Sequence, residues 1–155
     1  MSRYASNTTV SSNKSRDEIE RTLTRYGASA FAYATEGTRA MVQFDMDGRR
    51  VRFVLPLPDQ NEREFTHTPG RGTKRTEAKR FDAWEQSCRQ AWRALALVVK
   101  AKLEAIESKI TTFDDEFMAH LVLPDGGTVG EFMRPQIANA YELGEMPKLL
   151  SAPTQ

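Results

Sequence analysis

Two turn signals, Glu36-Gly37 and Asp47-Gly48, constrain this chain most, because each lies between segments of alternating side chains. Asp-Gly favours a type I′ hairpin, since both central residues must take positive φ and these two do so at low cost. Folding at each turn gives a register that tests itself. A turn at Glu36-Gly37 sets Phe31 opposite Val42 and Tyr33 opposite Ala40. A turn at Asp47-Gly48 sets Phe44 opposite Val51, Val42 opposite Phe53 and Ala40 opposite Leu55. Every large residue in these pairs then lands on one face. The other face carries alanines 30, 32 and 34, then Arg39, Met41, Gln43 and Asp45, then Arg50, Arg52 and Val54, with Asp45 placed to pair with Arg50. A slip of one residue would turn the apolar set outward, so turn chemistry and alternation together predict a three-stranded antiparallel meander.

Helical signals flank the meander. Ser15 and Glu18 have capping-box spacing, and Ile19, Leu23 and Tyr26 recur at helical intervals before Gly27, which predicts a helix over 16–26. Pro56 and Pro58 end the third strand, and 59–78 is polar without period, a long loop. From 77 to 108 Phe81, Trp84, Cys88, Trp92, Leu95, Val99, Leu103 and Ile106 follow spacings of three and four, with both tryptophans expected in the core. The segment AWRALALVVKA is apolar almost all round, so it needs cover on two sides: the sheet on one and the C-terminal helices on the other. Thr112 with Asp115, and Thr128 with Glu131, start helices over 113–122 and 129–143. Leu123–Gly127 is the turn between them, a hairpin across Asp125-Gly126 being the alternative. Pro135 kinks or restarts the last helix, and Gly144 and Pro147 end it. The class is α+β in the order α-β-β-β-α-α-α, one domain over 15–150. Residues 1–14 are expected to be flexible, Thr8–Ser11 being able to add a short edge strand, and 151–155 form a tail.

Net charge is +1, from 22 basic and 21 acidic residues, so any nucleic-acid surface must be a local patch. The single cysteine, Cys88, excludes an intramolecular disulfide and a cysteine-based zinc site, and reads as a buried small hydrophobe. The N-terminus has no apolar run of the signal-peptide kind, and Ala94–Val99 is too short to span a bilayer, so a reducing cytoplasm is expected and no membrane partner. No GxSxG, HExxH or dinucleotide fingerprint occurs. His67 and His120 lack ligand spacing, and Asp114, Asp115 and Glu116 fit the first turn of a helix, where the dipole favours acids. A non-enzymatic chain follows, with no catalytic residue, cofactor or metal expected.

Two basic constellations remain. In THTPGRGTKRTEAKR, residues 66–80, Arg71, Lys74, Arg75, Lys79 and Arg80 stand beside Gly70 and Gly72. Such a loop can wrap phosphates, each neutralised phosphate adding salt-dependent affinity, with Phe65 or a sheet-edge aromatic available to stack on bases. It lacks the Gly-Lys-Ser/Thr ending of a Walker loop. The alternative is a solvated tether whose charge is balanced by Glu62, Glu64 and Glu77. On the outer sheet face Arg39, Arg50 and Arg52, with Gln43, border the alanine stripe, a second phosphate-facing surface, a self-association face, or an ordinary solvated one. Arg93 and Lys100, inside the apolar part of the long helix, are expected to snorkel or to pair with Glu131 or Asp115.

The α-β-β-β-α order resembles double-stranded-RNA-binding domains, and GRGTKRTEAKR looks like their glycine-then-lysine stretch. The β-β-β-α core followed by helices resembles single-strand annealing proteins. SRDEIERTLTRYGA, MDGRRVRFVLPLPD and WRALALVVKAKLEAIESKITTFDDEF look like small uncharacterised proteins encoded in bacteriophages and prophages. That resemblance implies a phage context: an accessory of replication or recombination, or interference with a host system. The expected function is nucleic-acid binding, possible for single strands, through the loop and the arginine face. The alternative is a protein–protein module that redirects a host factor.

Overall fold

The structure is a computed structural model that describes residue 5 and residues 8–146. Its elements run α1 (Ser12–Arg25), β1 (Ala30–Glu36), β2 (Arg39–Met46), β3 (Arg49–Pro56), α2 (Arg63–Thr66), α3 (Glu77–Glu107), α4 (Phe113–Phe117), a 3-10 turn (Met118–His120) and α5 (Val129–Leu143). This is the α+β order expected, with α2 added inside the loop. The last residues of the expected domain, with Pro147, and the tail lie outside the described residues, as do residues 1–4, 6 and 7 of the N-terminus.

The sheet is a meander of order β1-β2-β3. The second hairpin has the expected register, with Val42 opposite Phe53 and Asp45 opposite Arg50, and its turn residues Asp47 and Gly48 both take positive φ. The first hairpin differs by two residues: Phe31 faces Phe44 and Tyr33 faces Val42. Glu36 belongs to the strand and pairs with Arg39, so Gly37 (φ 56°) is the first central residue of the turn, not the second. That is the position glycine takes in type II′ hairpins. A shift of two keeps every side chain on its face, so the inner and outer sets are unchanged.

Ile19 and Leu23 of α1, and Trp92, Leu95, Val99 and Leu103 of α3, close over Val42, Phe44, Val51 and Phe53 to form the core. The ring of Phe117 meets Phe44 and Phe53 edge-on at 5.7 and 6.1 Å, so α4 enters this core rather than covering the far side of α3. The expected second cover is therefore missing among the described residues, and Leu97 and Val98 stay 36% and 43% exposed. Trp92 is buried; Trp84 is only half-buried, its indole N–H donating to the Pro58 carbonyl at 2.7 Å.

Helix starts follow the expected cap chemistry at Thr112 and Thr128, the latter a full capping box with Glu131, and Thr76 caps α3 in the same way. At α1 the cap is Ser11, one turn earlier than Ser15, which is buried inside the helix. Residues 8–11 form no edge strand; Gln86 Nε2 donates to the Thr8 carbonyl at 2.7 Å and holds this stretch on α3. After Phe117 the expected helix gives way to the 3-10 turn, and Leu121 then bridges Val51 at the free edge of β3. A bridge from Val122 to Thr128 closes the turn across Asp125-Gly126, a minimal form of the alternative hairpin. α5 runs unbroken through Pro135 and ends at Gly144 in the left-handed region. It packs on the 3-10 turn, where a Cβ on Gly130 would stand 2.8 Å from the Ala119 carbonyl.

Candidate nucleic-acid interface

The stretch between β3 and α3 is folded. Leu57 N–H donates to the Thr38 carbonyl, directing the chain off the sheet end, and Phe65 in α2 is buried. His67 then bridges Lys74, and Thr68 and Thr73 lock the strands of a small hairpin: Thr68 N–H donates to the Thr73 carbonyl at 2.8 Å and Thr73 N–H to Thr68 Oγ1 at 3.0 Å. Pro69-Gly70-Arg71-Gly72 forms its tip, both glycines at positive φ. The result is a finger with Arg71 at its end and Lys74 on its flank, both exposed.

The five basic residues of this stretch divide by role. Arg75 is a brace: its Nη1 donates to the carbonyls of Glu64 and Phe65 at 2.8 and 3.2 Å, tying the finger's base to α2. Lys79 stands exposed in the first turn of α3. Arg80 is half-buried, and its Nε makes no hydrogen bond among the described residues. A sixth cation, Arg63, lies against the tip, its guanidinium 3.2 Å from where a Gly72 Cβ would be. The sequence reading left Arg63 out because it stands seven residues before Gly70 and nine before Gly72; only the fold-back of the finger brings it there. Over 62–80 these six cations outnumber three acids, Glu62, Glu64 and Glu77, in a chain of net charge +1, so positive charge is concentrated here. Phe65, being buried, is not placed to stack on a base. Of the sheet-edge aromatics, Tyr33 is 52% exposed, with the Arg16 guanidinium 4.9 Å from its ring centre.

The arginines of the outer sheet face mostly have partners. Arg50 holds Asp45 through two bonds of 2.8 and 3.0 Å, and this hydrogen bonding keeps the Asp45 carboxyl below its usual pKa and raises that of Arg50. Arg52 donates to Gln43 Oε1 and to the Gly126 carbonyl, fixing the α5 approach to the sheet. Arg39 keeps only a 3.9 Å contact with Glu36, both exposed. Sequence reasoning grouped the three arginines with the finger, but Arg50 and Arg52 each already commit two N–H donors to partners.

Arg93 pairs with Glu18 of α1, not with Glu131 or Asp115, and Lys100 is exposed. Asp114 pairs with Arg49, and Glu116 with Lys102; among the described residues no group of His, Cys, Asp and Glu is placed to hold a metal ion. Cys88 is buried, and burial pushes its thiol pKa up. His120 stacks on Phe53 at 4.0 Å, where burial, then Lys102, lowers its pKa. Among the described residues no helix is long and apolar enough to cross a membrane. No family model, curated protein or solved structure matches the chain.

Proposed function

We propose that this protein binds nucleic acid without reading sequence, through the finger at 63–80, as a non-enzymatic accessory of phage replication or recombination in a bacterial cytoplasm. The observation that carries this reading is the braced hairpin: Arg71, Lys74 and Lys79 stand exposed on an element tied down by Phe65 and Arg75. A cation on a fixed support loses less conformational freedom on meeting a phosphate than one on a tether. Polyanion affinity then comes from counterion release and falls with salt, with a slope set by the phosphates contacted. Arg39 is the member of the arginine face freest to add to it. The phage context rests on the likeness of wording given above. The test is fluorescence anisotropy with labelled single- and double-stranded oligonucleotides at several salt concentrations. Replacing Arg71, Lys74, Lys79 and Arg80 with Ser is expected to flatten the salt slope while the melting curve holds. Absence of binding at low salt, or equal binding by this variant, would leave the second reading. That reading, a module acting on a host protein, is favoured by the apolar side chains that α5 leaves exposed.

A further inference from the structure

Phe65 is buried and Tyr33 already has the Arg16 guanidinium over its ring, so neither aromatic named from the sequence offers a free face beside the finger. Phe81 does. It stands one residue after Arg80, in the second turn of α3, and is 47% exposed. It continues the apolar row of Trp92, Leu95 and Val99, but the core cluster closes at Trp92 and Phe81 lies about three turns beyond it. The ring is nonetheless supported. It leans on Trp84 with ring centres 5.6 Å apart and a tilt of 47°, and Trp84 is itself fixed by its indole N–H bond to the Pro58 carbonyl. A ring held in this way has little freedom left to lose when a ligand stacks on it.

The charges around Phe81 are unevenly placed. Arg80 precedes it, one helical turn from Trp84, and the Arg80 Nε has no hydrogen-bond partner among the described residues. Lys79 is exposed on the same turn, and the finger joins it there through the Thr76 cap and the Arg75 brace. The acids near the ring are Glu77 and Glu85, one turn to either side, and the adjoining Asp82; Glu85 is taken up by Arg89 at 3.2 Å. A phosphate directly over the ring would be repelled by Glu77 and Asp82. A base meets the ring through its π face and leaves its phosphates to the Arg80 side. Resting on the reading of the finger as a nucleic-acid surface, we infer that Phe81 is a platform on which one base of a single strand stacks, while the finger and Arg80 take the flanking phosphates. Bases inside a duplex are stacked on each other and expose no such face, so the partner is single-stranded. Stacking of this kind tolerates any base, in keeping with binding that does not read sequence.

Fluorescence anisotropy on the full chain at low salt tests this with two labelled probes, an oligothymidine of about ten nucleotides and an abasic strand of the same length. Their phosphates are the same, so a difference between them reads the bases. The unaltered protein is expected to bind the oligothymidine at least about fivefold more tightly, the low end for one base–aromatic stack. Phe81→Leu should bring the two probes level and leave abasic affinity and the melting curve in place. Phe81→Trp, which keeps an aromatic against Trp84, should hold or raise the preference and reads the same site should Phe81→Leu loosen the helix start. Equal binding of both probes by the unaltered protein, a preference that survives Phe81→Leu, or one lost in Phe81→Trp would overturn the stacking site and leave the finger reading standing. Absence of binding to either probe would overturn both.

Discussion

The finger at 63–80 and helix α5 are opposites. The finger has no periodic pattern, yet the structure ties it down at both ends through buried Phe65, the Arg75 brace and the Trp84–Pro58 bond. α5 has a capping box, a helical pattern and a glycine stop, yet it buries nothing fully. Local sequence signals decide which element forms; a few long-range contacts decide whether it is anchored. Anchoring along its length is what turns a basic stretch into a surface of fixed geometry, whereas α5, held at its first turn, leaves apolar side chains exposed beyond it.

Removing the finger's anchor should have the largest effect. Phe65→Ala is expected to destabilise the protein by about 3 kcal/mol, as for other buried phenylalanines. Tyr141→Ala on α5 should stay within about 0.5 kcal/mol in dilute, monomeric solution. Urea melts measure both, and equal losses would erase the contrast. Gly130→Ala comes next, at about 1–3 kcal/mol, because its Cβ would drive the Ala119 backbone away and lift α5 from the 3-10 turn. Hydrogen exchange should then quicken in 129–143 and not in the finger.

Arg75→Ala should cost about 1–2 kcal/mol, having lost two charge-assisted bonds to backbone carbonyls, whereas Lys74→Ala should be near neutral. If thermal melts showed the two alike, Arg75 would be a solvated cation and the finger unbraced.

The smallest effect is one of pH. His120 is held below its ordinary pKa of about 6.5 by burial first, then by Lys102, with Arg134 adding to the shift and a hydrogen bond to the Arg52 backbone opposing it. The unfolded chain therefore takes up the proton at higher pH than the folded one. Stability is full above the unfolded pKa and declines as pH falls from there toward the folded one. His120→Phe should remove that decline, seen as melting temperatures that no longer drop between neutral and mildly acid buffer. An unaltered slope would mean that another group titrates.

What was legible in the sequence follows the same division. The Asp47-Gly48 register and the spans of α3 and α5 were readable because turns and caps are local chemistry. The first hairpin was misplaced by one turn position, since Glu36-Gly37 and Gly37-Thr38 both offer a glycine and differ only in which central site it fills. The finger was read as a loop because its contacts join residues about ten apart in a polar run; the lone apolar Phe65 was the available signal. The cap and glycine stop of α5 mark its span, but no residue in it says which surface it packs on, so it was wrongly expected to cover the far side of α3. The first cap was placed at Ser15, whose spacing to Glu18 suits a capping box, but Ser15 sits where the helix meets the core and the helix is capped by Ser11.

Hydrogen exchange with and without a single-stranded oligonucleotide at low salt tests the central claim most directly, because finger and α5 are read in one experiment. Slowed exchange over 63–80, with 129–143 unchanged, is the predicted result. No slowing in the finger, or slowing confined to α5 or the outer sheet face, would contradict it.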